Sequence, residues 1–135
     1  MKKILILFIT FLASSSCSEN TSNCENKICT DMFATVRIKF LDSNGNPMVV
    51  KDYQAVNLRT NKLLRSTGEI DGVNAKGFYM VASDNNLSEL AESEKILVSA
   101  KHPITNALKE VEFIISGGEC ACHVTKIAGT DEIRF

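Results

Sequence analysis

Residues 33–47 read FATVRIKFLDSNGNP, and this stretch decides the fold. Ala34, Val36, Ile38 and Phe40 fall on one side of an extended chain, with Thr35, Arg37 and Lys39 on the other. Side chains alternate across a strand, so a period of two with one apolar side describes a half-buried β-strand. The run DSNGNP ends it as a hairpin turn. Asn44-Gly45 can take positive φ, and Pro47 has no amide hydrogen to give to a ladder. The alternation of Asp42, Asn44 and Asn46 imitates the start of a calcium loop. Pro47, however, stands where such a loop needs Gly, and Tyr53 where it needs a bidentate Glu.

Downstream the same period recurs. YQAVNLR makes a second strand, with Ala55 or Val56 and Leu58 as inward residues, and Leu63 to Arg65 follow a turn at Asn61-Lys62. The segment STGEIDGVNAKG carries three glycines and no period, so it reads as a loop. In GFYMVAS, Phe78, Met80 and Ala82 fall on one face and Tyr79 and Val81 on the other. DNNLSELAESE has room for one helical turn capped by Asn86 or Ser88. Then KILVSAK turns Ile96, Val98 and Ala100 inward, His102-Pro103 breaks it, and ALKEVEFII places Val111, Phe113 and Ile115 on one face. Ser116-Gly117-Gly118 turns into ECACHVTKI, and Gly129-Thr130-Asp131 turns into the closing EIRF. About seven short strands at this spacing, with no sustained helical period, predict a single antiparallel β-sandwich over residues 33–135.

Upstream, MKKILILFITFLASSSC has the form of an export leader. Lys2 and Lys3 precede an apolar run from Ile4 to Ala13, then three serines and Cys17. Such a run is shorter than the roughly 20 residues a membrane-spanning helix needs, so residues 1–16 read as a cleaved signal peptide. The small residues before Cys17 resemble the lipobox of bacterial lipoproteins, with Ser14 where many carry Leu. That resemblance implies lipidation at Cys17, and Ser18 after it, in place of Asp, implies sorting to the outer membrane. Residues 17–32 are dominated by Ser, Asn, Glu and Thr, a polar tether that cannot bury a core of its own.

The chain has 15 basic and 16 acidic residues; without Lys2 and Lys3 the mature part holds 13 against 16, a charge near −3. No basic cluster supports nucleic-acid binding. Past Cys17 four cysteines remain: Cys24, Cys29, Cys120 and Cys122. An even number in an exported chain points to two disulfides. Cys120 and Cys122 on one strand face would have Cα atoms about 6–7 Å apart with parallel Cβ vectors, which disfavours a bridge between them. The N-terminal pair is therefore expected to bond to the C-terminal pair, in one of two registers. Each bridge would close around 90 residues and stabilise by on the order of 4 kcal/mol. The alternative is a metal site, four thiolates with His123 suiting zinc or copper(I), although the spacings are not those of a C-x2-C knuckle. The absence of C-x-x-C argues against a redox role.

Catalytic signatures are missing. His102 and His123 have no nucleophile near them in sequence, no G-x-S-x-G elbow occurs, and Gly117-Gly118 lies between strands rather than before a helix. Glu110 and Glu112 share an outward face and read as solvated.

Residues 33 to 115 resemble carboxypeptidase regulatory-like domains, which share a transthyretin-like β-sandwich. Asp42, Gly45 and Pro47 stand at the places of that family's Asp-x-x-Gly-x-Pro turn, and Gly77 and Tyr79 match its Gly-x-Tyr strand. His102-Pro103 replaces the Gly-Tyr or Gly-Phe that often ends the later strand. The resemblance implies a non-catalytic module without cofactor, anchored to the membrane by its N-terminal lipid, that binds or scaffolds an envelope protein or glycan.

Overall fold

The computed structural model describes residue 24, residues 27–65 and residues 75–135. The leader, the Cys17 lipidation site and most of the glycine-rich loop, residues 66–74, lie outside them. Among the described residues the chain forms eight strands, against the expected seven or so: β1 Thr35–Leu41, β2 Lys51–Asn57, β3 Lys62–Arg65, β4 Phe78–Ser83, β5 Glu94–Lys101, β6 Leu108–Ser116, β7 Thr125–Ala128 and β8 Glu132–Arg134. One short 3-10 helix, Asp84–Glu89, joins β4 to the segment before β5. The strands form two sheets ordered β4-β1-β8 and β3-β2-β5-β6-β7. The protein is an all-β sandwich. All pairings are antiparallel except that of β1 with β8, where Lys39, Phe40 and Leu41 run parallel to Glu132, Ile133 and Arg134.

The core follows from the alternation. Val36, Ile38 and Phe40 of β1 are buried, as are Ile96, Val98 and Ala100 of β5 and Phe113 and Ile115 of β6, while Val111 is half-buried. Burying each such side chain contributes about 1.5–3 kcal/mol. Phe40 meets Tyr79 edge-on with ring centroids 5.3 Å apart, and Tyr53 lies 4.8 Å from Tyr79. Both phenols are satisfied inside the core. The Val50 amide donates to the Tyr79 oxygen at 2.9 Å, and the Tyr53 hydroxyl donates to the Met80 carbonyl at 2.9 Å. Burial, with Tyr79 nearby, pushes the Tyr53 pKa up.

Three local expectations are corrected, and in β4 the structure selects the inward face. The DSNGNP turn is not a hairpin within one sheet: it carries the chain from β1 in the first sheet to β2 in the second, with one antiparallel bridge between Leu41 and Pro47. Asp42 Oδ1 shapes it by accepting the amides of Asn44 at 2.9 Å and Asn46 at 2.8 Å. In β2 the inward residue after Ala55 is Asn57, and Leu58 is exposed. Asn57 goes inside because its carboxamide has work there: Oδ1 accepts the amides of Arg59 at 2.9 Å and Thr60 at 3.1 Å. In β4 the buried face is Tyr79 and Val81, while Phe78 and Met80 are half-buried and Ala82 is buried beside Val81. A bulge opposite, between Val36 and Arg37, shifts the register there. Finally, the 3-10 helix is capped by Ser83, whose amide donates to Asn86 Oδ1 at 3.1 Å, so Asn86 folds back onto the cap rather than being it.

The strand directions give the sandwich two distinct ends. At one end β1 begins, β4 runs into the 3-10 helix, β5 begins and β6 stops; Cys24, Cys29, Cys120 and Cys122 gather there. At the other stand the 42–50 loop, the 102–107 turn and Phe135, whose amide donates to the Leu41 carbonyl at 3.0 Å.

Candidate functional site

The cysteine-bearing end is the most heavily constructed part of the molecule. β6 stops at Gly117-Gly118 because the chain bends against the 3-10 helix: the Gly117 amide donates to Ala91 O at 3.0 Å and the Gly118 amide to Leu87 O at 3.0 Å. A Cβ on Gly117 would lie 2.7 Å from that of Leu90, and Gly118 has φ +101. The segment after it therefore turns, and β7 starts only at Thr125. This corrects the expectation of a strand face shared by Cys120 and Cys122: both lie in the turning segment before β7.

The bridges run Cys24–Cys120, with Cα atoms 5.2 Å apart, and Cys29–Cys122, at 5.3 Å. The N-terminal pair is joined to the C-terminal pair as expected, and the open choice of register resolves to first with third and second with fourth. While both bridges are closed, these residues offer no thiolate to zinc or copper. Among the described residues no group of three or more His, Cys, Asp or Glu side chains is placed to hold a metal ion.

Around the bridges lies a hydrogen-bonded clip that the sequence did not disclose. Asp84, the first residue after β4, accepts the Ala34 amide through Oδ2 and the Val124 amide through Oδ1, both at 2.8 Å. Oδ2 also meets His123 Nδ1 at 2.8 Å, and His123 Nε2 lies 2.9 Å from the Thr30 hydroxyl. With the ring proton on Nδ1, the imidazole donates to Asp84 and Thr30 donates to Nε2. Burial pushes the Asp84 pKa up, but the Ala34 amide, His123 and the Val124 amide together outweigh it and hold the group below its usual value. Lys27 Nζ adds a fifth tie by donating to the Cys120 carbonyl at 2.8 Å. The signal that could have found Asp84 is an acidic residue directly following the capping Ser83. Thr30 leaves no such trace.

Thr30, His123 and Asp84 share the connectivity of an acyl-transfer triad. Their surroundings fit a clip better. Two open clefts border this end, one of about 460 Å³ lined by Lys27, Glu92 and residues 116–121, the other of about 440 Å³ between Arg37, Phe78 and Lys126. Thr30 and His123 line neither. Two of the three bonds to Asp84 come from backbone amides of separate segments, which suits joining those segments.

The remaining candidates have structural roles. His102 organises the β5–β6 turn, where Nδ1 accepts the amides of Ile104 at 3.1 Å and Thr105 at 3.2 Å and the ring stands edge-on to Phe135. Glu110 and Glu112 are both exposed, and Glu112 lies 3.6 Å from Lys95. The buried Glu94 is paired with Arg59 Nη2 at 2.6 Å, and the Arg59 hydrogen bond holds its carboxyl below the usual range. Compared with known proteins, the chain matches no family model, no curated protein and no solved structure.

Proposed function

We propose that this chain is a lipid-anchored cell-envelope protein, held to the outer membrane through Cys17, whose carboxypeptidase regulatory-like β-sandwich binds or supports an envelope protein or glycan without catalysing a reaction. The observation that carries the reading is the pair of disulfides. Bridges of this kind persist in oxidising compartments outside the cytosol, and a leader ending in a small-residue run and a cysteine precedes them. The first bridged cysteine comes only seven residues after Cys17. Use of Asp84, His123 and Thr30 as a clip favours a non-enzymatic role. Labelled palmitate fed to expressing cells tests it: the chain is expected to take up label and fractionate with membranes, and Cys17→Ser to lose both. An unlabelled, cytosolic chain with its leader intact would refute the proposal.

A further inference from the structure

Residues 27–33 form a strap across the cysteine-bearing end. Its domain-facing groups are Lys27, bonded to the Cys120 carbonyl, Cys29, bridged to Cys122, and Thr30, bonded to His123. The apolar side chains of the same strap are left in solvent: Ile28 is 97% exposed, Met32 77% and Phe33 58%. A flexible tether commonly carries polar residues, and three large apolar ones held out on a covalently fixed strap call for something to cover them. The chain itself says what lies nearby. Only six residues, 18–23, lie between Cys17 and Cys24, and the seven steps from one cysteine to the other span at most about 25 Å when fully extended.

We propose that the strap is a membrane-seating surface, with Ile28, Met32 and Phe33 entering the lipid interface beside the acylated N-terminus. The inference rests on the lipid-anchor reading above and adds an orientation to it. The cysteine-bearing end sits on the bilayer, and the loops at 42–50 and 102–107 face away. Among the described residues, Lys27 and Asp31 on the strap and Glu92 and Glu119 on the cleft that Lys27 lines make a net negative set, so attraction to anionic lipid does not drive the contact. Burial of apolar area does, and the bridges fix the strap beforehand so that little order is lost on contact.

The test uses the full mature protein in vesicles of phosphatidylethanolamine and phosphatidylglycerol, exposed to a diazirine photolabel dissolved in the lipid. After reduction and trypsin, the peptide 28–37 holds the strap, and 102–109 holds Ile104 at the opposite end, itself 82% exposed. Label on 28–37 is expected to exceed that on 102–109 by about tenfold, as side chains buried 5–10 Å into the interface should show. In Ile28→Asp/Met32→Asp/Phe33→Asp, with both bridges verified by mass, label on the strap peptide should fall to the level of 102–109. Equal labelling of the two peptides in protein that carries lipid on Cys17 overturns the seating proposal and leaves the anchor reading standing. Absence of lipid on Cys17, read from the intact mass, overturns both.

Discussion

The interleaved bridges make a quantitative prediction about how they share the work of stabilisation. In the chain-entropy model, closing a loop of n residues removes unfolded-state entropy as a constant plus a logarithm of n. Cys24–Cys120 spans 96 residues and Cys29–Cys122 spans 93, so either bridge alone contributes at most about 4.7 kcal/mol. Once one is closed, the other no longer closes a long loop. Cys24 and Cys29 are five residues apart and Cys120 and Cys122 two, so the second ring runs through about seven residues and adds only about 2.4 kcal/mol. Replacing one pair, as Cys24→Ser/Cys120→Ser or Cys29→Ser/Cys122→Ser, should therefore cost about 2.4 kcal/mol, and replacing all four cysteines about 7 kcal/mol, nearly three times as much. These are upper values, since the freed strap also gains some freedom in the folded state. Urea unfolding followed by far-ultraviolet circular dichroism reads all three variants against the parent. Equal single costs adding up to the quadruple cost would refute the reasoning, because additivity is what two independent loops would give.

Asp84→Ala strands the Ala34 and Val124 amides and releases His123, and is expected to cost about 2–3 kcal/mol with both bridges intact, measured as a shift in urea midpoint. Because the folded pKa of Asp84 lies below its ordinary 3.8, its contribution is present above about pH 4 and is lost as pH falls through the folded value. The stability gap between the parent and Asp84→Asn should therefore narrow between pH 7 and pH 3; a constant gap would contradict it. Gly129→Ala places a Cβ 2.5 Å from the Phe113 ring at a backbone φ of +127, and should lower stability by about 2–3 kcal/mol in thermal unfolding.

Much of the architecture was legible because strand alternation is a local signal. Val36, Ile38 and Phe40, Ile96, Val98 and Ala100, and Phe113 and Ile115 each announce their face within a few residues. The errors occur where a polar group changed the balance. Asn57 takes the inward place expected of Leu58 because its carboxamide caps a turn, and Tyr79, on a face the alternation left open, goes inward where the Val50 amide donates to its hydroxyl. A one-residue difference of that kind exchanges the two faces of a strand. The pairing of early with late cysteines was legible from geometry, although the geometry assumed a strand that Gly117 and Gly118 interrupt. The clip of Thr30, Asp84 and His123 was not legible. Its members lie 39 to 93 residues apart, and only the meeting of the strand ends brings them together.

The bridges also determine where force goes. A pull on the N-terminal segment does not reach β1, the middle strand of its sheet, as a peeling load. It passes through Cys24 and Cys29 into the loop between β6 and β7, and from there along β6, a nine-residue strand zipped to β5 from Leu108 to Ile115. Tension applied from that side should thus shear a long ladder rather than unzip a short one, and the sandwich should outlast strain that would extract its first strand were the two sulfur links reduced.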